Sequence, residues 1–302
     1  MEFPLPMPPD RLQLITSDGF TDYALLDCGA GRKLERFGAV VVDRPEPQAL
    51  WRPHLPKAEW AKAHAVFSAS GEDDEKGKWR VDKRVPDAWP VRIDGVTMLC
   101  KLSGLWHLGL FPEQNPHWDW MLERLAAVKG ERPRVLNLFG YTGAASLLAA
   151  KAGAEVTHVD ASKKAIQWGK ENQAASGLDA AKIRWLLDDA AKFAARDVRR
   201  GKTYHMILVD PPKFGRGPEG EVWDLFKNLP PLLEDLAKLL APEAAMVLTV
   251  YAIRASALAF DQLLREALNG KGGSFETGEL AIRARSGPLV PTSLFVRWSN
   301  QP

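Results

Sequence analysis

Four short segments in the second half of the chain carry residue types that can hold a nucleotide and act on a substrate beside it. Asn137-Leu138-Phe139-Gly140-Tyr141-Thr142-Gly143 is a glycine loop of the kind that turns a strand into a helix and lets the backbone approach a ligand. A dinucleotide fingerprint would need glycine at 138, where Leu138 stands. Asp160 follows Gly140 by twenty positions, where a carboxylate can accept both hydroxyls of a ribose. Asp188-Asp189 can take the exocyclic amine of adenine. In Asp210-Pro211-Pro212-Lys213-Phe214 the prolines fix φ and remove two N–H donors, so backbone carbonyls are expected to stay free to face a substrate beside Asp210. Each acid alone also reads as a helix N-cap, and the prolines as a stiff turn. Three strand ends that together supply a glycine loop, a ribose acid and a base acid read as a nucleoside site.

The elements that must position these residues alternate. Strands are expected at Arg134–Phe139, Glu155–Val159, Ile183–Leu187, His205–Val209 and Ala245–Tyr251. Helices are expected at Ala144–Ala152, Lys163–Ser176, Ala190–Arg200, Val222–Leu240 and Ser256–Asn269. Near-continuous apolar strands alternating with helices specify a parallel sheet covered on both faces, with ligands beyond the carboxyl ends of its strands. A last pair, Phe275–Arg283 and Ser293–Trp298, is expected as an antiparallel hairpin at one edge.

Residues 1–90 read as a small β-rich domain and 91–302 as a hairpin lead-in followed by the α/β domain. Strands are expected at Asp22–Asp27 and Arg36–Asp43, and Val91 to Leu110 turns at Asp94-Gly95. Seven of the eleven Trp (51, 60, 79, 89, 106, 118 and 120) lie in the first 120 residues. They either stack nucleobases or plug a seam between the domains.

The 302 residues are 46% hydrophobic and 26% charged, which excludes collagen-like, coiled-coil and disordered chains. No apolar run reaches the roughly 18 residues of a spanning helix, and the opening MEFPLPMPPD has no basic-then-apolar run, so a cytoplasmic protein without a membrane is expected. Cys28 and Cys100 with scattered His offer no metal-ligand spacing, so no metal is expected. Residues 1–125 carry 16 Lys and Arg against 19 Asp and Glu, and residues 126–302 carry 24 against 19. The basic half, with Arg196, Arg199, Arg200, Lys202, Lys213 and Arg216, permits an anionic partner. No motif specifies an oligomeric state.

NLFGYTG, VDASKKAIQWGKEN, LLDDAAKF and DPPKFGRG resemble the cofactor and substrate motifs of class I S-adenosylmethionine-dependent methyltransferases. They are similar in particular to the bacterial large-subunit ribosomal RNA methyltransferases of the cytosine-5 type. The resemblance runs from about Val91 to Trp298. It implies a seven-stranded Rossmann-like sheet, S-adenosylmethionine as cofactor, and RNA, in the first place large-subunit ribosomal RNA, as partner. It implies that Phe139, Gly140, Tyr141, Gly143, Asp160, Ser162, Asp189 and Asp210 face the cofactor, with Gln114 near its methionine end. Thr142, Ala161, Asp188 and Ala190 sit at the same strand ends and complete the candidate set. DGVTMLCKLSGLWHLGLFPEQ is similar to the hairpin and GxFLDxR segment of that family, with Pro112-Glu113 in place of Leu-Asp and Asn115 in place of Arg.

The chemistry departs from that family. Carbon methylation of cytosine adds a thiolate at C6 and needs a Cys at a strand end. The family's Thr-Cys-Ser slot reads Thr249-Val250-Tyr251 here, Pro212 stands where other cytosine-5 enzymes carry Cys, and Cys28 and Cys100 precede the cofactor fold. The expectation is direct in-line transfer to a nitrogen lone pair, either with Asp210 and the Pro211 carbonyl holding an exocyclic amine, Phe214 stacking on a base and Lys213 meeting a phosphate, or to a ring nitrogen that needs no general base. The alternatives are methylation of a protein or small metabolite, a non-catalytic RNA- or nucleotide-binding module, and third an NAD-dependent dehydrogenase, which Leu138 disfavours.

Overall fold

The computed structural model describes residues 11–70, 73–104, 106–251 and 254–301. The opening MEFPLPMPPD lies outside them, as do Gly71 and Glu72 of the charge-dense GEDDEKGKWRVDKR segment. The chain divides into two compact units. One holds Thr16–Asn115 and Ala281–Thr292, the other Pro116–Leu280 with the residues up to Ile15 and from Ser293 onward. The lead-in hairpin, which the sequence pattern groups with the α/β fold, falls in the first unit. Among the described residues no helix is long and apolar enough to cross a membrane.

After β1 (Gln13–Ser17), the first unit forms a five-stranded sheet in the order β2 (Tyr23–Gly29), β3 (Arg32–Phe37), β4 (Val40–Pro45), β5 (Ala65–Ser70), β6 (Asp73–Val81), with the short helix α1 (Lys57–Trp60) before β5. Arg36 to Asp43 is not the single strand expected. Gly38, at φ +57°, turns the chain between β3 and β4, and a Cβ there would stand 2.8 Å from the Pro90 carbonyl. β7 (Trp89–Ile93) and β8 (Val96–Cys100) pair around Asp94 and Gly95, both at positive φ, the conformation a type I′ turn demands. Four of the Trp indole N–H groups are spent inside this unit: Trp51 on the Cys28 carbonyl, Trp60 on the Asp27 carboxylate, Trp79 on Ser103 and Trp89 on Phe37.

The second unit opens with α2 (Asn115–Ala127) and continues as β9 (Arg134–Leu138), α3 (Ala144–Lys151), β10 (Glu155–Asp160), α4 (Lys163–Ala175), β11 (Ile183–Leu187), α5 (Ala190–Arg199) and β12 (Tyr204–Val209). Two three-residue strands, β13 (Phe214–Arg216) and β14 (Val222–Asp224), precede α6 (Leu225–Lys238), β15 (Leu240–Val250), α7 (Ala257–Ala267), β16 (Ser274–Arg283) and β17 (Leu289–Ser299). The large sheet runs β1-β16-β17-β15-β12-β9-β10-β11. From β15 to β11 every neighbour is parallel, and β17 joins β15 antiparallel. Every residue of β12 is buried, as a strand covered on both faces requires. Strand order reverses between β9 and β12, so the carboxyl ends of these two strands flank the crevice where such sheets bind ligands.

Three expectations change. The sheet has eight strands, and the C-terminal pair is not its edge, because β1 adds beyond β16. Gly278 permits that approach: a Cβ there would collide with the Gln13 backbone. The helix expected from Val222 starts only at Leu225, where Asp224 caps it by accepting from the Phe226 N–H at 3.1 Å. Val222–Asp224 instead pairs antiparallel with Phe214–Arg216.

Candidate active site

The glycine loop leaves β9 at the switch point. Phe139 and Tyr141 both take left-handed φ, +57° and +52°, on either side of Gly140, and Gly143 takes +88° before α3. Two bulky residues in that region cost on the order of 1 kcal/mol or more each, so surrounding contacts must hold the loop. The Gly140 N–H donates to the Val159 carbonyl at 3.2 Å and the Tyr141 N–H to Asp160 Oδ2 at 2.8 Å. Beneath them lies a buried polar chain: Asn137 Nδ2 donates to Ser146 Oγ at 2.9 Å, and Ser146 Oγ and His158 Nδ1 share a hydrogen bond of 2.9 Å. Burial pushes the His158 imidazole down to about 3, so it is neutral. A Cβ on Gly140 would stand 2.6 Å from His158 Nδ1, and one on Gly143 would strike the Trp185 ring. These glycines let the loop settle onto protein side chains. Buried Thr142 fixes the loop's far end, its carbonyl accepting from Asn172 Nδ2 at 2.9 Å.

Asp160 ends β10, half-buried, with Oδ2 on Tyr141 N–H and Oδ1 on Ser162 N–H at 2.7 Å. Each oxygen keeps a second lone pair for a ribose hydroxyl. Desolvation raises the Asp160 carboxyl above its ordinary value, opposed by those two backbone donors. Ala161 follows, half-buried, and exposed Ser162 caps α4 by accepting from Ala165 N–H at 3.2 Å. The Asp188 N–H donates to the Asp160 carbonyl at 3.2 Å, so the two strand ends adjoin. Asp188 is ion-paired with Arg196 and accepts from the Asp189 N–H. Asp189 caps α5 by accepting from Lys192 N–H at 2.9 Å, and buried Ala190 begins that helix. Arg196, counted above among cations for an anionic partner, is thus engaged by Asp188. Arg200 pairs with Asp197 at 3.4 Å.

Asp210 follows β12 across the switch point, its N–H directed at the Leu138 carbonyl at 3.5 Å. The expectation of free carbonyls after it fails at Pro212, whose oxygen accepts the Trp223 indole N–H at 2.7 Å. Pro211 is buried, and the Lys213 carbonyl accepts from Leu225 N–H at 3.0 Å, which leaves the Lys213 ammonium 5.3 Å over the Phe214 ring. Phe214 is 62% exposed. Gln114 ends a short 3-10 turn, Pro112–Gln114, in the other unit. A cavity of about 470 Å³ lined by Arg134, Lys182, Arg184 and Lys202 opens at the amino ends of the strands, away from this site.

Sequence reasoning missed His158, Trp185 and Trp223. Neither the first two nor the third sits in a glycine or acidic motif, and Trp223 lies where the pattern reads helix. The donor set itself suits a nucleoside: a carboxylate with spare lone pairs beside a tight backbone loop.

Residues 56–276 match the family model described as S-adenosylmethionine-dependent methyltransferase. The chain belongs to that family. The methyltransferase resembles the SAM-dependent methyltransferase structure from Agrobacterium tumefaciens at 48% identity, covering 98% of this chain and 95% of that one with a TM-score of 0.92. SMU.776, solved with SAH, covers 92% of this chain and 75% of its own at 17% identity and a TM-score of 0.71, a likeness of fold. Ribosomal RNA large subunit methyltransferase K/L from Shewanella frigidimarina is 35% identical over 155 residues, 51% of this methyltransferase and 21% of that protein. The match thus spans about a fifth of the length of such curated relatives. S-adenosylmethionine is the cofactor of the family.

Proposed function

We propose that the protein transfers a methyl group to a nitrogen of a base in RNA, with large-subunit ribosomal RNA as substrate and the cytoplasm as its location. The observation that carries this reading is the placement of the Asp210-Pro211 corner beside the glycine loop across the switch point, where a base and a nucleoside cofactor can meet. The RNA component draws on the K/L methyltransferases that share 155 residues with this chain.

When bound, S-adenosylmethionine supplies an electrophilic methyl group on a sulfonium. Asp160 accepts the ribose hydroxyls, residues 139–143 and 161–162 line the nucleoside, and Asp188, Asp189 and Ala190 border the adenine. Asp210 and the Pro211 carbonyl accept the hydrogens of an exocyclic amine and so direct its lone pair. Phe214 offers its open ring face to a base and Lys213 its ammonium to a phosphate.

Nitrogen as the acceptor agrees with the thiols. Cys28 and Cys100 are both fully buried, burial raising Cys28 to about 11 and Cys100 higher still, and Val250, buried, is the last residue of β15. Mass spectrometry of ribosomal RNA nucleosides from cells with and without the gene tests the proposal. Loss of one N-methylated nucleoside is expected; an unchanged profile overturns it.

A further inference from the structure

The β13–β14 hairpin follows the Asp210 corner directly, and its two faces differ. The register Phe214↔Asp224, Gly215↔Trp223, Arg216↔Val222 sends alternate side chains to opposite sides. Inward lies buried Trp223, its ring 4.8 Å from Phe139. Outward lie Phe214 with Asp224 opposite it, exposed Arg216, and Val222, the last 68% exposed. Phe226, in the first turn of α6, is 54% exposed. Three large apolar side chains exposed on this hairpin and on the helical turn that follows it mark a contact surface.

The acids of this segment are occupied within the protein. Lys192 holds Glu219 at 3.2 Å and Glu221 at 2.5 Å, and Glu221 also accepts from the Glu219 N–H. Asp224 caps α6 and pairs with Lys227 at 3.7 Å. Among the described residues no carboxylate pairs with Lys213 or Arg216. The outward face therefore offers apolar side chains interleaved with cations.

We infer that this face binds the unpaired nucleotides that flank the target base, so that the substrate is a single-stranded stretch of RNA. The inference rests on the RNA reading above. Stacking needs bases whose π-faces are open, which a duplex conceals, and the cations complement the backbone phosphates.

The test uses protein saturated with the demethylated cofactor product, a short fluorescein-labelled single-stranded oligoribonucleotide, and the same strand annealed to its complement. The single strand is expected to bind more tightly. Val222→Ser combined with Phe226→Ala should weaken its binding about tenfold, the scale of one lost base stack. Arg216→Gln should lower the salt slope by about 0.7. In both variants KM for ribosomal RNA should rise while kcat at saturating RNA and affinity for the cofactor product hold. Unchanged RNA affinity in the variants, or duplex binding as tight as single-strand binding, overturns the inference even if the wild type methylates RNA. A wild type that methylates no ribosomal RNA overturns the RNA reading and this inference with it.

Discussion

The indole N–H of Trp223 donates to the carbonyl oxygen of Pro212 at 2.7 Å. With the Trp223 ring against Phe139, one side chain couples the glycine loop to the segment that follows Asp210. Trp223→Phe keeps the ring and strands the Pro212 oxygen. Stability should fall by about 1–3 kcal/mol, read by thermal unfolding, and kcat should fall more than the cofactor KM changes. Unaltered kcat would show that the corner does not depend on this bond.

S-adenosylmethionine or its demethylated product should raise the melting temperature, whereas NAD should not. Asp160→Ala should abolish that shift, because the ribose loses its shared acceptor; calorimetry finding wild-type affinity would place the ribose elsewhere.

The same carboxyl sets a pH signature. Its folded pKa is raised by burial, so what it contributes to stability without cofactor is full below the unfolded value and lost as pH rises through the folded one. With Asp160 as the proposed ribose acceptor, cofactor affinity should run the other way, since only the carboxylate can accept from two hydroxyls. The thermal shift from added cofactor should therefore shrink on acidification, beginning above the ordinary aspartate range, and this dependence should vanish in Asp160→Asn.

Gly140→Ala drives a methyl group into His158 and should destabilise by about 1–3 kcal/mol while weakening cofactor binding. His158→Ala opens the space. In the double variant part of the loss should return, a coupling of at least about 0.5 kcal/mol in a double-mutant cycle. Strict additivity would mean that the loop does not rest on His158.

Neither thiol should act as a nucleophile. RNA carrying 5-fluorocytosine should form no denaturant-stable complex, and Cys28→Ala with Cys100→Ala should leave methyl transfer within a few-fold. Asp210→Ala should reduce turnover by on the order of a hundredfold, the scale of about 1 Å of misplacement. An adduct that disappears with either Cys variant would restore carbon chemistry.

The residue pattern alone specifies the alternation of β9, β10, β11, β12 and β15 with their helices, the glycine loop, and the acids at three strand ends. These are local properties: a buried strand is a short apolar run, a cap is an acid before a helix, and a spacing of twenty residues is one strand–helix unit. Tertiary structure decided which polar groups remain available. Asp188 meets Arg196, Asp189 is spent on its helix, and the Pro212 oxygen is taken by a tryptophan eleven residues away. It also decided that β1 extends the sheet past β16, across more than two hundred residues of chain. Periodicity is silent on such pairings because a hydrogen bond or a sheet edge selects its partner by position in space, and folding alone brings those positions together.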